Sequence, residues 1–118
     1  MSSIYQRGDV LLADVVFSGG LGSKSRPVVV LSTDTFNQAG IKLIVAGITS
    51  NLAPPARPGD VMIDHWIAAG LVFPSAVRGL IITIDRSDVR RNLGVMSASD
   101  LTAVEQGVAG IMGLILPE

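Results

Sequence analysis

Along this chain the apolar positions fall into short β-type runs, followed near the end by one stripe at helical spacing. Gly8 to Phe17 (GDVLLADVVF) is a strand pattern with imperfect alternation, because Val10, Leu12 and Val15 mix with Leu11, Asp14 and Val16. That mixture fits a strand bent by a bulge, as in a curling sheet. The run Pro27 to Ser32 is continuously apolar as far as Leu31 and reads as a central strand, with Pro27 at its first position. A third strand, Ile41 to Thr49, is entered through a turn at Ala39-Gly40. Asp60 to Asp64 predicts a short strand, Trp66 to Ala69 a helical turn stopped by Gly70, and Leu80 to Ile84 another strand. Between them, Leu52 to Gly59 carries half of the chain's six prolines and is expected to be a mobile loop. Ser97 followed by Asp100 has the form of a helix N-cap with its reciprocal partner. Beyond it Leu101, Val104, Val108, Ile111 and Ile115 make one apolar face. Gly107, Gly110 and Gly113 interrupt that helix and are expected to let it pack closely on the sheet.

Five or six short strands and one helix leave no room for crossover helices, so a doubly wound parallel sheet is excluded. The expected fold is mainly β with a C-terminal helix, a small antiparallel barrel or strongly bent sheet. At 118 residues and 48% hydrophobic content, the chain suits one domain, residues 1–118, with a core that needs no metal or disulfide staple. Cysteine is absent, which removes thiol chemistry and agrees with a reducing cytoplasm. Met1 to Arg7 has no apolar signal-like core, and no run approaches the roughly 18 apolar residues of a membrane span.

A net charge of −1 offers no broad electrostatic attraction for nucleic acid. Charge is locally uneven, however. Lys24 and Arg26 stand in a glycine-serine segment without a nearby acid, and four arginines face two aspartates between Arg78 and Arg91. These clusters read either as a local anion site or as solvated surface. A metal site would have to rest on carboxylates and the single His65, which beside Trp66 reads as structural. The phosphate-loop and nucleophile-elbow patterns are absent, and Gly19-Gly20-Leu21-Gly22 precedes a strand, so no helix N-terminus follows to hold phosphate.

What remains is polar groups at strand ends: Ser23-Lys24-Ser25-Arg26 before one strand and Thr49-Ser50-Asn51 after another. Taken alone, this is ordinary turn chemistry. Together, an arginine fork and neighbouring hydroxyls can grip a phosphodiester and stabilise the charge of its transition state. RNA carries its own nucleophile, the 2′-OH, so such a site needs neither serine, cysteine, metal nor cofactor.

The blocks Gly8-Asp9-Val10, Gly22 to Ser32 (GSKSRPVVVLS) and Ile48-Thr49-Ser50-Asn51 resemble those of the MazF/PemK toxins in order and spacing. Gly70 to Arg78, Thr83 to Ser87 and Leu93-Gly94 are similar to the PemK-like branch, so the resemblance spans nearly the whole chain. It implies a CcdB-type, SH3-like barrel, a homodimer, a cognate antitoxin partner and a cytoplasmic location. The implied activity is that of an mRNA interferase, a metal-independent endoribonuclease cutting single-stranded RNA to leave 2′,3′-cyclic phosphate and 5′-hydroxyl ends. By that resemblance Arg26 and Thr49 are catalytic, and Ser23, Lys24, Ser50, Asn51, Arg78 and Arg86 bind RNA. The chain departs from the pattern at Ile82, where some relatives carry arginine, and in its low net charge. Competing expectations are a CcdB-like protein that poisons a protein target such as gyrase, and a non-catalytic relative that only binds an antitoxin.

Overall fold

A computed structural model describes residues 5–16 and 24–114 of the chain. Its elements run β1 (Asp9–Val15), β2 (Lys24–Val30), α1 (Asp34–Ala39), β3 (Lys42–Thr49), β4 (Val61–Met62), β5 (Ala76–Asp85), β6 (Val89–Val95) and α2 (Ala98–Met112). The six strands form one antiparallel sheet in the order β4-β5-β3-β2-β1-β6. The bulge expected in the first strand falls on its neighbour: pairing of β1 with β6 shifts register between Val10 and Leu11 and again between Leu12 and Ala13, and the extra residues, Leu93 and Arg90, are in β6.

Both faces of the sheet are buried. Val10, Val29, Ala46, Ile48 and Val77 form one core with Val104 of α2 and with Ile63, Ala69 and Leu71 of the segment after β4. On the other face Leu11, Ala13, Val15, Val28, Val30, Leu43, Val45 and Ile84 make a second core, with Tyr5, Ile82 and Val89 at its rim. Among the described residues only α2 is a long helix, so a sheet that hides both faces must coil around one of them. Hydrogen bonding does not complete the expected barrel, for β4 and β6 remain edges. The gap is bridged by the bonded turn His65–Leu71, in which Ala69 N–H donates to His65 O and Leu71 N–H to Trp66 O. This turn meets β6 backbone to backbone. A Cβ on Gly70, where φ is +82°, would lie 1.9 Å from Leu93 O, and one on Gly94 would lie 2.7 Å from Ala69 O. Only glycine permits that approach from both sides.

Three expectations need correction. Pro27 is not the first residue of its strand but lies inside β2, opposite Leu12. It is tolerated because β2 pairs with β3 only over Val28–Val30, so the half that carries Pro27 has a neighbour on one side alone. The supposed turn before β3 is the end of α1, capped by the Thr33 hydroxyl, which accepts from Phe36 N–H at 3.3 Å. The buried residue of α1 is polar: the Asn37 amide donates to Tyr5 O (3.2 Å) and Ser32 O (3.1 Å) and accepts from the Ser32 hydroxyl. Finally, Ser97 caps α2, accepting from Asp100 N–H at 3.2 Å, but Asp100 does not reach back to it. Its carboxylate instead accepts from Asp64 N–H (3.0 Å) and His65 N–H (2.9 Å), pinning the turn after β4 to the helix.

The helix glycines play separate parts. Gly107 gives the close approach, since a Cβ there would sit 2.8 Å from Val61 Cγ2, while Gly110 faces open space. Gly113, at φ +72°, is the left-handed C-cap. Ile115 lies outside the described residues.

Candidate phosphodiester site at the open end of two strands

The functional geometry grows from the register of β2 on β3. Val28 faces Gly47, Val29 faces Ala46 and Val30 faces Val45. Continued beyond the last pair, the same register sets Arg26 opposite Thr49, although the strands have parted by then. Alternation gives the face: Arg26 pairs with the core residue Ala13 and precedes Val28 by two positions, and Thr49 follows Val45 by four. Both therefore belong to the coiled face, at its open end. Lys24, opposite core residue Val15, shares that face.

The charges sort by face. Ser25 points the other way with its partner Asp14; its hydroxyl donates to Asp14 Oδ1 at 2.7 Å, and Arg90 Nε donates to Asp14 Oδ2 at 2.8 Å. These hydrogen bonds, Arg90's foremost, hold the Asp14 carboxyl below its ordinary range and push the Arg90 guanidinium up. That acid is thus already matched. Among the described residues, Lys24 and Arg26 have no hydrogen-bond or ion-pair partner and are exposed. Two unneutralised cations beside a hydroxyl leave an anion-accepting end.

Thr49 is set for donation. Its Oγ1 accepts from Asn51 N–H at 3.0 Å, which fixes the oxygen and leaves the hydroxyl proton to point elsewhere. Ser50 is exposed, and Asn51 Oδ1 accepts from Ala53 N–H at 3.2 Å, leaving the Asn51 NH2 outward. Arg78 is different in kind. Its side chain is only 14% exposed; Nη2 donates to Asn51 O at 3.2 Å and Nη1 lies 3.6 Å from Asp60. One guanidinium so clamps both roots of the proline loop, and Arg57 N–H closes the far root on Asp60 Oδ2 at 2.8 Å. Arg78 braces the site's backbone.

Arg86 is not brought to this end. It follows Asp85, which pairs with Lys42 at the start of β3, whereas Thr49 ends that strand. The eight residues of β3, both ends included, span roughly 23 Å. Its guanidinium lies 5.8 Å from the Tyr5 ring centroid and donates to Asn37 O, joining the start of the chain to α1. Ser23 lies outside the described residues. Ile82, at the position where relatives carry arginine, packs against the second core.

Two further groups were not foreseen. His65 Nδ1 lies 3.3 Å from Ser97 Oγ and 3.5 Å from Asp100 Oδ2. Serine, histidine and aspartate meet here, but a relay needs them on different ring nitrogens, and both sit at Nδ1. The cluster is structural. Burial pushes the Asp100 carboxyl up, yet the N–H donors of His65 and Asp64 and the Ser97 hydroxyl outweigh it and leave it below the usual range. Beside Thr49 lies an open cavity of about 390 Å³ lined by Ser50, Leu52, Phe73 and Pro74. Its signal in the sequence was faint: one aromatic residue before a proline.

A coiled antiparallel sheet packed under a C-terminal helix, with a cationic end where two strands part, defines a small barrel-like protein with a cationic mouth. The chain belongs to the PemK-like, MazF-like toxins of type II toxin-antitoxin systems, whose family pattern matches residues 6–112. It is 30% identical to endoribonuclease MazF6 of Mycobacterium tuberculosis over 114 residues, 94% of this chain and 99% of that protein. Among solved structures it resembles the M. tuberculosis toxin MazF-mt6, at a TM-score of 0.75 and 24% identity, covering 92% of this chain and 99% of that one. A mycobacterial endoribonuclease solved in complex with its cognate antitoxin is similar at a TM-score of 0.76 and 18% identity, with 98% and 100% covered.

Proposed function

We propose that this chain is an endoribonuclease toxin that cuts single-stranded RNA at a phosphodiester held between Arg26 and Thr49. The observation that supports the reading is the β2–β3 register: extended past Val28–Gly47 it brings Arg26, which has no partner among the described residues, toward the Thr49 hydroxyl. The 2′-oxygen attacks the adjacent phosphorus and the bond to the 5′-oxygen breaks. The 2′-OH loses its proton, the 5′-oxygen gains one, and no water is consumed, so the products are a 2′,3′-cyclic phosphate and a 5′-hydroxyl. Arg26, at the reacting phosphate, stabilises the added negative charge with parallel N–H donors and is the group placed to pass a proton. Thr49 donates to a non-bridging oxygen. Lys24 and Asn51 hold the flanking backbone, Ser50 contacts the RNA beside them, and Arg78 keeps Asn51 in place.

The family and the mycobacterial complex support a cognate antitoxin as the protein partner, and action on cellular RNA would place the chain in the cytoplasm. Poisoning of a protein target would not require Arg26 to face Thr49. The test is cleavage by the purified chain in EDTA. Single-stranded RNA should be cut, and the same strand with 2′-deoxyribose at the cut should stay intact. Activity only with added metal, or equal cutting of the deoxy strand, would overturn the mechanism.

A further inference from the structure

The cavity beside Thr49 has its own chemistry. Its walls spring from one strand pair, Thr49 with Ala76: Ser50 and Leu52 continue from the first, and Phe73 and Pro74 lead into the second. Both walls are held from behind. Arg78 Nη2 grips Asn51 O, and the buried Ser75 hydroxyl donates to Phe73 O at 2.7 Å. Yet the Phe73 side chain is 63% exposed and Leu52 is 40% exposed, apolar surface displayed on a fixed frame. Among the described residues that line the cavity none is charged, which suits a neutral planar group and not a second phosphate. Ser50 supplies one polar edge.

From this we infer that the Leu52–Phe73–Pro74 cavity is the subsite for the nucleobase beside the scissile phosphate. The base stacks on the Phe73 ring, and Ser50 hydrogen-bonds to its edge. The inference rests on the ribonuclease reading and deepens it. An RNA strand whose phosphate lies at Thr49 must carry its next base past Ser50, and unpaired bases are held by stacking on aromatic rings. Phe73 then acts in substrate choice and affinity, apart from the chemistry at Arg26.

The probe is a single-stranded heptaribonucleotide spanning a cut mapped on a long transcript. It carries 2′-deoxyribose at the cut, so that it binds intact, and 2-aminopurine in place of each flanking base in turn. On binding to the wild-type chain, one flanking position should be quenched. Phe73→Ala should abolish that quench and weaken binding by about 5- to 100-fold, the range of one lost stack, whereas Phe73→Tyr should retain both. An abasic nucleotide at that position should cost the wild type a similar factor and Phe73→Ala almost nothing. Equal abasic losses in the two proteins, or a quench that persists in Phe73→Ala, would overturn the subsite while leaving cleavage standing. So would a Phe73→Ala chain that binds RNA normally but escapes its antitoxin, for the surface would then belong to the protein partner. A long transcript left wholly uncut overturns the ribonuclease reading, and the subsite with it.

Discussion

Removing the Arg26 guanidinium is the most direct challenge to this site. Arg26 is exposed, and Arg26→Ala deletes no hydrogen bond or ion pair among the described residues. Such surface changes shift stability by less than about 0.5 kcal/mol. For a chain of this size that is about 2 °C in Tm. On the reaction the effect should be far larger. A donor that strengthens as the transition state gains charge is worth about 3–4 kcal/mol, or roughly 100- to 1000-fold in rate. Arg26→Lys keeps the charge but lacks the planar fork and should recover only part of the loss. Thr49→Ala removes one neutral hydroxyl, worth about 1 kcal/mol, and should slow cleavage roughly 5- to 10-fold. If both residues grip one phosphate, the double variant should lose less than the two single losses combined. Single-turnover cleavage and thermal unfolding on the same samples separate these effects. An Arg26→Ala chain that melts normally and still cuts RNA within threefold of the wild-type rate would remove the proposed mechanism. If it fails to fold, Arg26 is structural.

Arg78→Met should loosen both roots of the proline loop, since one guanidinium holds Asn51 O and faces Asp60; faster amide exchange over residues 51–60 with a smaller loss of cleavage than in Arg26→Ala is expected. Asp100 is buried, and its pKa is lowered on folding, so its stabilising contribution is full above the unfolded value of about 3.9 and is lost as pH falls through the lower folded value. Asp100→Ala should therefore cost about 2–3 kcal/mol at neutral pH, and the gap to wild type should narrow in acid unfolding scans below about pH 4. Self-association is the remaining expectation, because Met62, Ile111, Met112 and Leu114 expose apolar surface beside β4 and at the end of α2. Sedimentation should report a dimer, and a monomer at micromolar concentration would count against it.

The sequence showed best what rested on apolar runs. β1 and β3 lie almost where their patterns put them, and Leu101, Val104 and Val108 of the stripe face the core, while Ile111 is exposed. β6 passed unnoticed because it is an edge strand with no fully buried side chain, so VRRNLGV read as a basic cluster. α1 was hidden for a related reason. Its buried residue is Asn37, held by hydrogen bonds, and no apolar period marks six such residues. The site was legible only by resemblance. Nothing in the spacing of Arg26 and Thr49 relates them; their proposed pairing extends the register of β2 on β3 two residues past its last pair, Val28 with Gly47. Arg78 and Arg86 look alike in sequence, yet one braces the site's loop and the other serves the far end of β3. Neighbouring charge along the chain carries no information about which end of a strand it will occupy.

The glycine contact between the turn after β4 and β6 also bears on how this chain avoids its own kind. An open sheet has two borders, and each is a row of backbone groups on which a foreign strand could grow. The β4 border is two residues long, too short to template much. At the β6 border, the backbone of Ala69 and Gly70 already lies against Leu93 and Gly94. The chain thus guards that border with its own main chain, at the point where the register shift leaves Leu93 as the extra residue of β6. A single methyl group at Gly70 or Gly94 would push the guard away. Its first symptom should be strand-mediated aggregation, appearing while the chemistry around Arg26 was still intact.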